Sequence, residues 1–260
     1  MIVDTNVYLS RWPFRRLAGD ETPDLVARLR NRNVTQAWAG SFDGILHKDI
    51  GGVNARLTAD CRTYGNNFLV PFGSINPKLP GWQEDTRRCA KDYAMPGIRL
   101  HPNYHGYDLK DPAFRELLHA AAGHRLIVQL VVSMEDERTQ HPLLRVAHVD
   151  VSALPALVKT EPSLRLVLLN WARAIRGQPL QPLVDAGAVY FEISMVEGIE
   201  GIARLAERLP PERILFGSNF PLFYLESALL KIEESGLPED RKKTILGENA
   251  RRIIPQTGRP

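Results

Sequence analysis

The chain has 260 residues, with 33 Lys and Arg against 30 Asp and Glu and a formal net charge of +3. That length suits one large domain, and the charges are interspersed, which excludes the basic stripe of a nucleic-acid binder. No apolar run approaches the roughly 18 residues of a membrane span, and two cysteines are too few for a disulfide framework. The chain starts on a strand pattern rather than a leader, and it reads as cytoplasmic.

Taken in order, the strand candidates are "MIVDT", "VTQAWAG", "FLVPFGSIN", "GIRLH", "LIVQLVV", "LRLVLLN", "VYFEISM" and "RILFGSN". Helical patterns separate them, from "PDLVARLRNR" after the first to "LESALLKIEESG" after the eighth, with "EDRKKTILGENARRII" closing the chain. Thr22-Pro23 and Asp111-Pro112 read as N-caps with proline at the first helical position. Gly65, Gly123, Gly187 and Gly236 follow helix patterns where a left-handed stop is expected. Cys61 and Cys89 fall on apolar helix faces and read as buried free thiols.

Strands alternating with helices argue for a parallel sheet with crossover connections. Eight such units in this length argue for a single (β/α)8 TIM barrel over residues 1–260. An open doubly wound sheet usually carries a Gly-rich turn after its first strand, and "NVYLSRWPF" has no glycine.

In a closed barrel, functional groups collect where strands end. There the sequence places Asn6 and Tyr8, "SFDGILHKD", "LHPNYHGYD", Gln129 leading into "SMEDERTQHPL", then Asn170, Glu192 and Asn219. Asp4, Asn6 and Tyr8 alternate along the first strand and would share a face. Asp4 and Arg99 share inward parity and read as a buried ion pair low in the barrel. Arg11, Arg15 and Arg16 form one local basic cluster, either a solvated loop or an anion-attracting site mouth.

Four stretches carry a resemblance. "VDTNVYL", "PGIRLHPNY", "PPERILFGSNFP" and "ILGENARRII" resemble, in order, motifs of the amidohydrolase superfamily, specifically its amidohydrolase-2 group of metal-dependent TIM-barrel hydrolases and decarboxylases. The resemblance implies zinc or manganese held by histidines and an aspartate at the strand ends. Here Asn6 and Tyr8 stand at the first-strand histidines, Gln129 on or near the fifth-strand histidine, Asn170 at the sixth-strand histidine and Asn219 at the eighth-strand aspartate. Amide oxygens are weak donors to such metals. An asparagine lacks the basicity to take a proton from water. The expectation is therefore no metal and no cofactor.

For chemistry, His101, Glu192 and Asn219 are the catalytic candidates. Asn6, Tyr8, His105, Gln129, Arg138, His141 and Asn170 are the substrate-binding ones, with Arg138 gripping a carboxylate or phosphate in bidentate fashion. Trp12, Pro13, Phe14, Phe220, Phe223 and Tyr224 would wall the pocket. One reading is a hydrolase or lyase acting on a small polar or carboxylate substrate, comparable to the pyrone-dicarboxylate lactonases. A second is a non-catalytic ligand-binding or regulatory barrel. A third is a metal site rebuilt from His101, His105 and His141. The expected partner is a small molecule, not nucleic acid or membrane, and an outer apolar helix face leaves a homodimer open.

Overall fold

Short runs of Ile, Val and Leu such as "IVQLV" and "RLVLL" are buried on both faces, the pattern of parallel strands covered by helices. The computed structural model describes residues 1–175 and 177–254. The strands are β1 (Ile2–Leu9), β2 (Val34–Ser41), β3 (Leu69–Ser74), β4 (Gly97–Leu100), β5 (Ile127–Val131), β6 (Arg165–Leu169), β7 (Ala188–Glu192) and β8 (Ile214–Leu215). They pair in parallel in the order β1 to β8. Residues 216–220 close the barrel by giving the carbonyls of Phe216 and Phe220 to the N–H groups of Thr5 and Tyr8, at 3.0 and 2.9 Å. The expected (β/α)8 barrel is the observed fold.

Two apolar layers hold it. An outer layer, with Leu25, Leu117, Val158 and Ile202, joins helices to strands. An inner layer fills the barrel: Val3, Trp38, Phe72, Ile127, Val167 and Leu215, with Ala250 and Ile253 of the last helix plugging the base. Trp38 and Phe72 stack at 4.9 Å. Asn249, from the "ILGENARRII" motif, donates to the carbonyls of Pro211 and Ile214, both at 2.8 Å, and so pins that plug under β8.

Local expectations were mixed. Asp111 caps its helix by accepting from the Ala113 N–H, whereas Thr22 is already helical and Glu21 precedes it without a side-chain cap. Gly236 is left-handed, but after the helix ending at Gly65 the left-handed residue is Asn66, and after Gly123 it is Arg125. Both cysteines are buried and free. The loops after β2 and β4 contain one-turn helices, Asp43–Leu46 and Pro102–His105, that sequence periodicity is too short to reveal. No helix among the described residues is long and apolar enough to cross a membrane.

Candidate active site

Register shifts in β1, between Ile2 and Val3 and between Asp4 and Val7, bend the strand as it reaches the C-terminal end of the barrel. There Asn6 Nδ2 donates to Asn170 Oδ1 at 2.8 Å and to Glu192 Oε2 at 3.3 Å. Asn170 Oδ1 also accepts from Ser194 Oγ at 2.7 Å, while its Nδ2 donates to the Ser133 carbonyl at 2.7 Å. Asn170 and Asn219 both sit at left-handed φ, +55° and +57°. Asparagine tolerates that conformation better than other side-chain-bearing residues.

Glu192 is the hub of this network. It accepts from the backbone N–H of Asn170 and of Ser194, from Ser194 Oγ at 2.9 Å and from Asn6 Nδ2. Burial pushes its carboxyl up, against those donors. Three of these contacts fall on Oε2 and one, from the Ser194 N–H, on Oε1, and the single Ser194 hydroxyl proton is shared between Glu192 Oε2 and the nearer Asn170 Oδ1. Gly217 admits it: a methyl there would lie 2.4 Å from Glu192 Cγ. Glu192 thus orients Asn6, Asn170 and Ser194, while Oε1 accepts a single bond.

His101 is also buried. Its Nε2 lies 3.1 Å from Tyr8 Oη, and Tyr8 Oη donates to Met134 Sδ at 3.4 Å. Either atom can supply the proton between Tyr8 and His101; in the tautomer whose tyrosine proton turns to sulfur, Nε2 is the donor and Nδ1 keeps a free lone pair. Nδ1 has no partner in the structure. Burial, then the neighbouring His105 and Arg99, hold His101 well below the usual imidazole value. Burial pushes Tyr8 up to about 12. The pair is thus a neutral imidazole with one nitrogen fixed and the other free.

One layer deeper stands Arg99. Its Nε donates to Gln129 Oε1 at 2.8 Å, its Nη1 to the Val7 carbonyl at 2.8 Å and its Nη2 to the Trp38 carbonyl at 3.1 Å. Its guanidinium lies 4.4 Å from the Tyr8 ring centre. Gln129 is therefore a brace for Arg99 and for the Thr5 carbonyl, below the mouth rather than in it. The expected Asp4–Arg99 ion pair does not form among the described residues. Asp4 instead accepts from Ser218 N–H at 3.0 Å, from Ser218 Oγ at 2.5 Å and from Asn6 N–H at 3.1 Å. Burial outweighs these donors and pushes Asp4 up to about 7.

Residues 133–149 cross the mouth as a lid. Of three consecutive carboxylates, two fasten it to other loops and the third braces it internally. Glu135 meets Arg15 at 2.8 Å, Asp136 meets Arg173 at 2.6 Å, and Glu137 meets His148 at 2.9 Å. Asn219 Nδ2 donates to the lid's Met134 carbonyl at 3.0 Å. Arg138 departs from expectation: its side chain is 84% exposed and holds Asp136. Together with Arg173, it keeps Asp136 well below the usual carboxylate range. A residue clamped to its neighbour on the outer surface is not the substrate grip.

His141 is exposed and lies against Phe14 at 6.1 Å, and His105 gives Nε2 to the Gly44 carbonyl at 2.8 Å. Among the expected wall residues, Trp12 packs edge-on to Phe42, while Tyr224 is 77% exposed. Arg15 and Glu135, which sequence reasoning saw only as parts of charged stretches, are the groups brought to the mouth. Beside His101 the space left under the lid, lined by Asn103, Tyr104, Met134 and Gln140, is about 10 Å³, room for about one water.

Comparison with known proteins fixes the class. The chain belongs to the amidohydrolase family, whose model matches residues 9–256. No functionally curated protein matches it. Among solved structures it is similar to 5-carboxyvanillate decarboxylase from Sphingomonas paucimobilis (TM-score 0.77, 14% identity, 97% of this chain and 98% of that one). It is also similar to 2,6-dihydroxybenzoate decarboxylase from Rhizobium (TM-score 0.74, 12% identity, 97% and 98%). A third is dihydroxybenzoic acid decarboxylase from a Polaromonas species, with bound manganese and 2-nitroresorcinol (TM-score 0.71, 11% identity, 97% and 96%).

These relatives overturn the expectation of no cofactor, because solved members of the fold carry bound manganese. The donors this chain offers are a separate matter. Where the strands end, Asn6 Oδ1, Asn219 Oδ1 and His101 Nδ1 are buried and unpartnered among the described residues, two neutral amide oxygens and one imidazole, with His105 Nδ1, Trp12 Nε1 and His148 Nδ1 unpartnered in the loops beyond. Manganese favours carboxylates and zinc favours imidazole, thiolate or carboxylate, so this set does not fit the relatives' metal. Among the described residues no three His, Cys, Asp or Glu side chains are placed to hold a metal ion. His101 and His105 lie 5.9 Å apart, ring centre to ring centre, and His141 Nδ1 accepts from the Leu143 N–H. The third reading therefore has no geometry behind it.

Proposed function

We propose that this chain is a lyase of the amidohydrolase family that releases CO2 from a small hydroxylated aromatic acid held beneath the lid, with His101 as proton carrier. The single observation behind this reading is the His101 ring. One nitrogen is fixed by Tyr8 and the other is free and unpartnered, at the strand ends where barrel enzymes do chemistry. The parallel-stacked Tyr8 and Phe42 (4.7 Å), with Trp12 and Phe14 beyond, supply a flat apolar wall suited to an aromatic ring. The fold relatives act on such acids.

In this scheme His101 Nδ1 takes the proton of a substrate hydroxyl and returns it to the ring carbon bearing the carboxylate. The carbon–carbon bond then breaks, CO2 leaves, and the electron pair flows back into the ring to give the product phenolate. Water reprotonates that phenolate. Glu192 keeps Asn6 and Asn170 in place, and the free Asn6 and Asn219 oxygens accept from substrate hydroxyls. The lid opens to admit substrate.

One observation favours a second reading, a non-catalytic binding barrel: the space beneath the lid is about 10 Å³ and the amide nitrogens are all engaged. The deciding experiment measures CO2 release from dihydroxybenzoates and 5-carboxyvanillate, with and without added manganese. Turnover of at least one acid is expected, falling about 10²–10⁴-fold in His101→Ala while the melting temperature holds. No turnover across the panel would overturn the lyase reading in favour of the second.

A further inference from the structure

Within the basic cluster after β1, the three arginines divide their work. Arg11 and Arg16 turn outward to Glu21 and Asp20. Arg15 alone turns to the lid, placing Nη1 2.8 Å from Glu135 Oε2. Glu135 is not a surface carboxylate. Its side chain is 3% exposed, and Thr139 Oγ1, which also donates to the Asp136 carbonyl at 2.8 Å, lies 3.1 Å from the same Oε2. A buried protein carboxylate therefore sits on the Arg15 guanidinium, next to Met134, which lines the same small space beside His101 as Tyr104 and Gln140. That is the arrangement a bound aromatic acid needs, occupied by the lid itself.

We infer that Arg15 is the carboxylate-binding residue of the mouth, and that Glu135 is a built-in placeholder which an incoming aromatic carboxylate displaces as the lid opens. The inference rests on the lyase reading for its substrate class, and it names the group that recognises that class. A guanidinium pairs with a carboxylate through two parallel hydrogen bonds. Glu135 uses only one Arg15 nitrogen, so an incoming carboxylate has a second N–H to gain. The Arg15 side chain is 38% exposed, so a ligand reaches it from solvent before the lid is released.

The test is benzoate binding by calorimetry to the full chain, with neutral benzamide as control. Glu135→Gln keeps the shape of the lid but removes the competing charge, and it is expected to bind benzoate at least about tenfold tighter than the parent, with benzamide unchanged. Adding Arg15→Ala to Glu135→Gln is expected to abolish that gain. Melting curves show whether each variant is folded, and Arg15→Lys, which keeps charge but loses the fork, is expected to fall between parent and Arg15→Ala. Equal benzoate affinity in parent and Glu135→Gln, absence of binding in both, or a gain that survives Arg15→Ala would overturn the inference. The two proposals fail separately. Tighter benzoate binding without turnover sinks the lyase reading alone, and His101-dependent turnover indifferent to Arg15 and Glu135 sinks this inference alone.

Discussion

The two ends of the barrel differ in a way that volume alone would misread. At the base, between the plugging helix and β2–β3, lies an open groove of about 1070 Å³ bordered by Met1, Arg62, Asn67, Tyr93 and Arg251. At the mouth only about 10 Å³ remains. Yet the arginines bordering the base groove are exposed, while the mouth buries His101, a carboxyl pushed up by burial and several polar atoms, Asn6 Oδ1, Asn219 Oδ1 and His101 Nδ1 among them, that lack partners among the described residues. A buried polar atom left unpaired costs about 1–3 kcal/mol. Such groups are retained where a ligand or a chemical task uses them. Under the proposed function, the size of a concavity is a poor guide to the site, and buried groups short of partners are the better one.

The comparison can be broken first at Arg99, which braces the mouth from below. Arg99→Ala orphans the Gln129 oxygen and the carbonyls of Val7 and Trp38 and leaves a void under Tyr8. Urea unfolding is expected to show a loss of about 3–5 kcal/mol. A loss under about 1 kcal/mol would mean that the mouth does not depend on this layer.

A smaller, pH-dependent effect is expected at Asp4. Burial raises its folded value from 3.8 to about 7. Between those values the folded state holds a proton that the unfolded chain has released. The contribution to stability is then fully present below about pH 4 and lost as pH rises through 7, on the order of 2–4 kcal/mol. The histidines shift in the opposite direction, so the parent curve alone is mixed. The measurement is the stability difference between the parent and Asp4→Asn at pH 4.5 and pH 8, which is expected to fall with rising pH. A constant difference would show an ionised Asp4.

The smallest effect belongs to the base. Arg62→Ala and Arg251→Ala remove exposed cations with no carboxylate partner among the described residues. Each is expected to change stability by no more than about 0.5 kcal/mol and to leave benzoate affinity unchanged. Lost affinity in either would relocate the anion site.

How far the sequence discloses this picture follows from which interactions are local. Strand order and the residues at the strand ends were legible, because alternation and turn signals act over a few neighbouring positions. Asn6, Tyr8, His101, Asn170 and Asn219 all reach the mouth for that reason. Partner choice was not legible. Arg99 and Asp4 share inward parity, but the bends in β1 carry Asp4 to Ser218 and leave Arg99 to Gln129 and backbone carbonyls. In the lid, Arg138 was the natural grip by composition, yet it closes on Asp136 two residues away. The cation that does reach the mouth, Arg15, lies 120 residues from its partner. Nothing in a one-dimensional pattern joins those two loops.

The most direct test of a mouth-centred site is a crystal structure of Glu135→Gln grown with benzoate. The account predicts the benzoate carboxylate on the Arg15 guanidinium, with its ring beneath the lid between Tyr104 and His101. Benzoate bound instead in the base groove beside Arg62 and Arg251, with the lid still closed, would contradict it.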